Sequence, residues 1–148
     1  MHRVVFGLAL LFCAATGLAQ EQAPPAASAS PAAQADDAER LIQRGKYLVH
    51  DVAMCVVCHT PKTSDGKLIT ARLLQGAPIP VESPYPRQKW AFRAPALVGL
   101  GGFSEEAIVT LLQTGRRPGG ETPQLPMPQY RMTEEDARAV AAYLKSLR

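Results

Sequence analysis

The 148-residue chain lacks most of the devices that fix a fold by covalent or charge means. It has only three cysteines, too few for a disulfide framework. Aromatic residues make up 6%, so the core cannot be built mainly from large rings. The formal charge is only +3 and is evenly spread, which argues against a phosphate-tracking surface and against nucleic acid as a partner. No apolar run reaches the roughly 20 residues that cross a bilayer as a helix. Neither a βαβ alternation nor a strong hairpin signal is present. What remains is one domain's worth of length with 47% hydrophobic and 20% charged residues, enough to pack a core. Its 13 prolines and 11 glycines point to a loop-rich body with room for a bound group.

The chain opens with His2 and Arg3, an apolar run from Val4 to Ala15, and the small residues Gly17 and Ala19. This reads as a secretory signal over residues 1–19, cleaved after Ala19. Cys13 leaves with it, and Phe12 is too bulky for lipoprotein processing at that cysteine. Residues 20–37 read as an Ala/Pro-rich flexible leader, with a domain over 38–148 whose first helix Asp36 or Asp37 caps.

Leu41, Ile42, Leu48, Val49 and Val52 recur at helical spacing from about Ala38 to Ala53. Gly45, inside that helix, costs roughly 1 kcal/mol relative to alanine, and close approach of another helix is the packing reason it invites. From Thr60 to Arg93 the sequence is proline-rich and aperiodic, a long loop with at most one short helix near Leu73 and Leu74. Such loops inside compact domains usually serve function or wrap something. Ser104 caps a helix opened by Glu105 and Glu106 and stopped by Gly115. Thr133 caps a last helix with Val140, Ala141, Leu144 and Leu147 as its stripe. The expected class is all-α, with three to four main helices.

Cys55-Val56-Val57-Cys58-His59 has the spacing of c-type haem attachment. Two thiols three positions apart can form thioethers with two vinyl groups, and the following imidazole lies where it can bind iron. Three other readings compete. A zinc site needs four ligands, usually from two Cys/His pairs, and after signal cleavage only His50 would join Cys55, Cys58 and His59. A thioredoxin-like redox pair belongs after a strand in a βαβ setting, whereas this pair ends a helical pattern. A simple disulfide leaves His59 and the long loop unexplained.

With His59 on one face of the iron, a donor is needed on the other. His50 shares the motif's helix and cannot easily reach the far face. Met54 adjoins Cys55 and suits packing. Met132 precedes the Thr133 cap, where an apolar residue commonly staples a helix start. Met127 lies between Pro126 and Pro128, which hold it in extended backbone, and is the preferred distal ligand.

The order of a helix with Gly45, the Cys55 to His59 motif, Ala94-Pro95-Ala96-Leu97, Pro126-Met127-Pro128 and a helix ending in Ala142-Tyr143-Leu144-Lys145-Ser146-Leu147 resembles a class I c-type cytochrome. Gly76-Ala77-Pro78-Ile79-Pro80, Gly101-Gly102-Phe103-Ser104-Glu105-Glu106 and Gly115-Arg116-Arg117 are similar to cytochrome domains that serve membrane-associated bacterial alcohol and aldehyde dehydrogenases. The resemblance implies the cytochrome c fold around one covalent haem c on Cys55 and Cys58, with His59 and Met127 as axial ligands. It implies that the Pro95 carbonyl orients His59, with Pro78 or Pro80 as substitutes, and that Gly45 meets Tyr143 where the first and last helices cross. Trp90, Phe92 and Tyr130 become candidate haem-edge aromatics or core residues, and Arg72, Arg93, Arg116 and Arg117 candidate propionate contacts or solvated charges.

Iron bound on both faces leaves no position for substrate, so the expected role is a periplasmic one-electron carrier and not an enzyme. Its partners would be a dehydrogenase or respiratory complex upstream and an oxidase or other acceptor downstream. A subunit fixed in a larger complex, and a five-coordinate haem enzyme or sensor should Met127 not bind, stay open as alternatives. Protein from the native host is expected to begin at Gln20 and to fractionate as soluble on N-terminal sequencing of cell fractions; an intact Met1 in the membrane fraction contradicts the cleavage.

Overall fold

A computed structural model describes residues 30–148, so the signal sequence over 1–19 and the leader up to residue 29 lie outside the described residues. Four helices carry the fold: α1 (Pro31–Tyr47), α2 (Cys55–His59), α3 (Glu105–Thr114) and α4 (Glu134–Ser146). The main pairing is α1 across α4, with α3 also packed against α4. The strands among the described residues are two antiparallel pieces, β1 (Ala77–Pro78) and β2 (Arg93–Ala94), in register Ala77 with Ala94. No helix among the described residues is long and apolar enough to cross a membrane.

Helix α1 starts well before the expected cap at Asp36 or Asp37. Ser30 is the cap, its hydroxyl accepting from the Ala33 N–H at 3.3 Å, with Pro31 in the first turn. Serine followed by proline and then alanines is a strong start signal, because proline presets φ and alanine is the best helix former. This end of α1, residues 31–40, is exposed throughout. It is held by its cap and by pairs along its own surface, such as Arg40 with Asp37 and Gln43 to Glu39.

The helical run expected to reach Ala53 changes character after Tyr47. Leu48–Val52 form a π-turn, closed by the Ala53 N–H to the Leu48 carbonyl at 2.8 Å. Met54 then takes a left-handed conformation, φ 52°, and breaks the run. The attachment motif therefore opens its own short helix, α2, instead of ending the first. Leu48 and Val49 remain buried through the turn.

Gly45 is the one buried residue of α1 and faces the backbone of α4. A Cβ there would fall onto the Ala139 carbonyl oxygen and sit 2.7 Å from Tyr143 Cβ. The helices thus touch backbone to backbone, and any larger side chain must wedge them apart. His50 Nε2 lies 2.7 Å from the Tyr143 hydroxyl, and Arg44 pairs with Asp136 at 2.9 Å, across the same crossing.

Helices α3 and α4 begin and end where their sequence signals stand. Ser104 Oγ accepts from the Ala107 N–H, Thr133 Oγ1 from the Asp136 N–H, and Gly115 closes α3 at φ 66°. Ile108, Val109 and Leu112 of α3 and Ala137, Val140, Ala141 and Leu144 of α4 join Leu48, Val49, Leu74 and Leu100 in one core.

Replacing Gly45 by alanine or leucine is expected to lower the melting midpoint, with an overpacking cost of about 1 to 3 kcal/mol. An unchanged midpoint in thermal unfolding would show that the crossing does not depend on this contact.

Candidate haem site

Helix α2 presents the motif from a compact frame. Both thiols are free, Cys55 half-buried and Cys58 exposed. Burial pushes the Cys55 thiol up to about 11, so it is held neutral and is not the poised thiolate that a dithiol redox catalyst uses. No group of three or more His, Cys, Asp and Glu side chains that could hold a metal ion occurs among the described residues. Cys55, Cys58, His59 and His50 therefore do not form the four-ligand cluster a zinc site needs.

His59 is buried, and its Nδ1 lies 2.8 Å from the Pro95 carbonyl oxygen. A carbonyl only accepts, so Nδ1 carries the proton and donates, and the lone pair of the neutral ring is on Nε2. Burial lowers the His59 pKa, with the Pro95 bond opposing that shift. A neutral imidazole with its second nitrogen tied to a carbonyl is the usual form of a metal-ligating histidine.

The long loop makes this contact possible. Residues 60–76 turn back on the motif: the Gly76 N–H donates to the His59 carbonyl at 2.8 Å, and Leu74 N–H donates to the buried Thr60 hydroxyl at 3.0 Å. Gly76, at φ 80°, lies directly against the Ala94–Ala96 backbone that carries Pro95 just after β2, where a Cβ would sit 2.8 Å from Ala96 N and 2.9 Å from Ala94 O. Pairing of β1 with β2 and the Leu97 N–H to Leu74 O bond hold that segment in place. The carbonyl at His59 is thus that of Pro95 and not of Pro78 or Pro80. Thr60 and Gly76 are the supporting residues that sequence reading did not assign; a glycine two residues before Pro78 was the available signal for Gly76, and nothing marked Thr60.

The methionines separate by environment. Met132 packs against the hydrophobic core, and its N–H donates to the Leu112 carbonyl at 3.0 Å. Met54 is exposed. Met127 is half-buried and stands outside the core cluster. Its segment is pinned by the Ala91 N–H to Leu125 O bond at 2.7 Å, and the Leu125–Pro126 bond is cis. A mostly apolar recess of about 220 Å³ is lined by Val57, Cys58, Lys62, Ile79, Pro80, Val81 and Pro126, and not by His59 or Met127 themselves. The attachment helix and the residue before Met127 therefore border one hollow. His50 is engaged with Tyr143, away from it.

Of the aromatics, Phe92 is almost fully exposed, Trp90 donates from Nε1 to the Val81 carbonyl at 2.8 Å, and Tyr130 donates to the Ala53 carbonyl at 2.9 Å. Burial, with the two nearby cysteines, pushes the Tyr130 phenol up to about 12, so it stays a donor. Among the arginines, Arg116 donates to the Gly120 carbonyl and Arg117 faces Glu121. Arg72 and Arg93 are exposed.

Residues 42–148 match the family described as Cytochrome c. The chain belongs to the cytochrome c family. This cytochrome is 32% identical over 114 residues to the cytochrome c subunit of alcohol dehydrogenase (quinone) from Gluconobacter oxydans, covering 72% of this chain and 24% of that protein. It is 31% identical over 139 residues to the gluconate 2-dehydrogenase cytochrome c subunit of Pantoea cypripedii, covering 84% and 30%. A diheme cytochrome c-type protein of Cereibacter sphaeroides is 32% identical over 108 residues, covering 70% and 34%. The chain spans about a quarter to a third of these relatives' length. Family membership implies a covalently bound c-type haem, and the donor set fits one: two free thiols at the attachment spacing and a neutral imidazole with a free Nε2.

Denaturation of the purified holoprotein in acidified organic solvent is expected to leave all haem with the polypeptide. Haem that partitions into the solvent would contradict attachment through Cys55 and Cys58.

Proposed function

We propose that this cytochrome is an extracytoplasmic one-electron carrier holding a single haem c on Cys55 and Cys58, with His59 and Met127 as its axial ligands. The observation that carries the reading is the hydrogen bond from His59 Nδ1 to Pro95 O, which fixes the ring directly after the two thiols. When bound, the haem supplies reversible one-electron exchange at iron, and thioether ligation opposite histidine raises its potential. The protein's part is to hold the donors still. Pro95 fixes the tautomer and plane of His59, Gly76 lets that backbone come close, and the bonds at Leu125 and Met132 restrain the Met127 segment from both sides. With a donor on each face, no position is left for substrate, in keeping with a carrier and not an enzyme.

Partners follow from the same reading: a dehydrogenase or respiratory complex as donor, and an oxidase or another acceptor downstream, met through small transient interfaces. A second reading is supported by the relatives, which are named as cytochrome c subunits of alcohol and gluconate dehydrogenases. In it, the domain works as a subunit docked on a membrane-associated dehydrogenase. An apparent mass in solution that stays that of the free chain when such a dehydrogenase is present would favour the mobile carrier.

Met127→Ala is expected to abolish the sulfur-to-iron charge-transfer band of the oxidised protein, lower its potential and admit carbon monoxide to the reduced iron. Met132→Ala is expected to keep the band and cost packing energy, up to roughly 2 to 5 kcal/mol for a buried methionine and less for a half-buried one. The reverse pattern in absorption spectra would move the ligand to Met132, retention of the band in both variants would contradict ligation by either residue, and absence of the band from the unaltered oxidised protein would contradict methionine ligation.

A further inference from the structure

Besides the local turn bond from the Met127 N–H to Gln124 O at 3.3 Å, three bonds tie the segment around Met127 to other parts of the chain, and they differ in where they lead. Upstream, Leu125 O accepts from the Ala91 N–H at 2.7 Å; downstream, the Met132 N–H donates to Leu112 O at 3.0 Å. Both are backbone bonds, to the long loop and to the end of α3. Neither touches the segment that leads into the attachment motif. Tyr130 does: its hydroxyl donates to Ala53 O at 2.9 Å. Tyr130 follows Met127 by three residues, and Ala53 precedes Cys55 by two.

The acceptor is well placed for such a tie. Ala53 ends the helical run, and the left-handed Met54 takes the chain out of it, so its carbonyl is one of those a helix C-terminus leaves for an outside donor. The Tyr130 ring packs against the core, which fixes the hydroxyl's origin. The phenol thus spans the two arms of the site at their roots.

We propose that Tyr130 is a positioning residue whose hydrogen bond to Ala53 ties the Met127 loop to the attachment turn and limits how often the Met127 side chain swings away from its bound position. The inference rests on the reading of Met127 as the distal ligand. Tyr130→Phe is the direct probe, because it keeps the ring and removes one donor. Tyr130→Leu removes the same donor with a different apolar side chain.

The rate of cyanide binding to the oxidised holoprotein reports how often the distal position opens, and the charge-transfer band reports the resting ligand. Tyr130→Phe is expected to keep the band and to bind cyanide about fivefold faster, the scale of one intramolecular hydrogen bond, with Tyr130→Leu at least as fast. Ser104→Ala, which removes the cap of α3 and touches neither arm, is expected to lower the melting midpoint while cyanide binds at the unaltered rate. Unchanged cyanide rates in both Tyr130 variants would overturn the proposal, as would equal acceleration in Ser104→Ala, since that would make general stability the cause. A band that persists in Met127→Ala would instead overturn the ligand reading itself, and this inference with it.

Discussion

The hydrogen bond between His59 Nδ1 and the Pro95 carbonyl, 2.8 Å across 36 residues of chain, constrains more of this molecule than any other contact. For it to form, everything between Thr60 and Ala94 must leave the motif and come back to it. The Gly76 N–H on the His59 carbonyl, the Leu74 N–H on Thr60 and the Leu97 N–H on Leu74 are the stations of that return. Gly76 has to be a glycine for the last approach, since its positive φ and the Ala94 to Ala96 backbone leave no space for a side chain. A neutral donor–acceptor bond of this kind contributes only about 1 kcal/mol net to stability. Its larger effect is on chemistry, because it decides which nitrogen of His59 is free.

The helix crossing supplies the rigid wall behind that site. Backbone contact at Gly45 lets α1 lie close on α4, and the π-turn that follows α1 meets α4 again through His50 and Tyr143. His50 is set in the π-turn that leads to Cys55, so the crossing anchors the chain just before the attachment helix. Burial lowers the His50 pKa. The neutral ring is the folded-state form, and its contribution is present above the unfolded histidine value and fades as pH falls below it. Fold and site are therefore coupled through one short stretch, residues 48–54.

Elements whose limits are written in side chains were legible in the sequence: Ser104 and Gly115 bound α3, Thr133 starts α4, and Gly45 marked a close helix contact. The Cys55 to His59 spacing carried the cofactor class. Features set by backbone geometry were not legible. A π-turn leaves the apolar spacing of Leu48 and Val49 almost unchanged, so α1 and the turn read as one helix. The early start of α1 was hidden because its alanines and proline have the composition of a linker, although Ser30-Pro31 is also a cap. Pro95 is expected only through the family resemblance, with Pro78 and Pro80 as substitutes, because the partner of His59 depends on which carbonyl the folded loop delivers; the Tyr130 contact ends on Ala53, whose side chain says nothing about it.

The central claim is a single haem with a protein donor on each face of the iron, exchanging one electron. A redox titration of the purified holoprotein, followed by absorption and repeated under carbon monoxide, tests it most directly. The expected result is one haem per chain, a single one-electron wave and a reduced spectrum indifferent to carbon monoxide. Immediate formation of a carbon monoxide complex at full occupancy in the unaltered protein would contradict it, and would assign the iron an open position suited to catalysis or sensing.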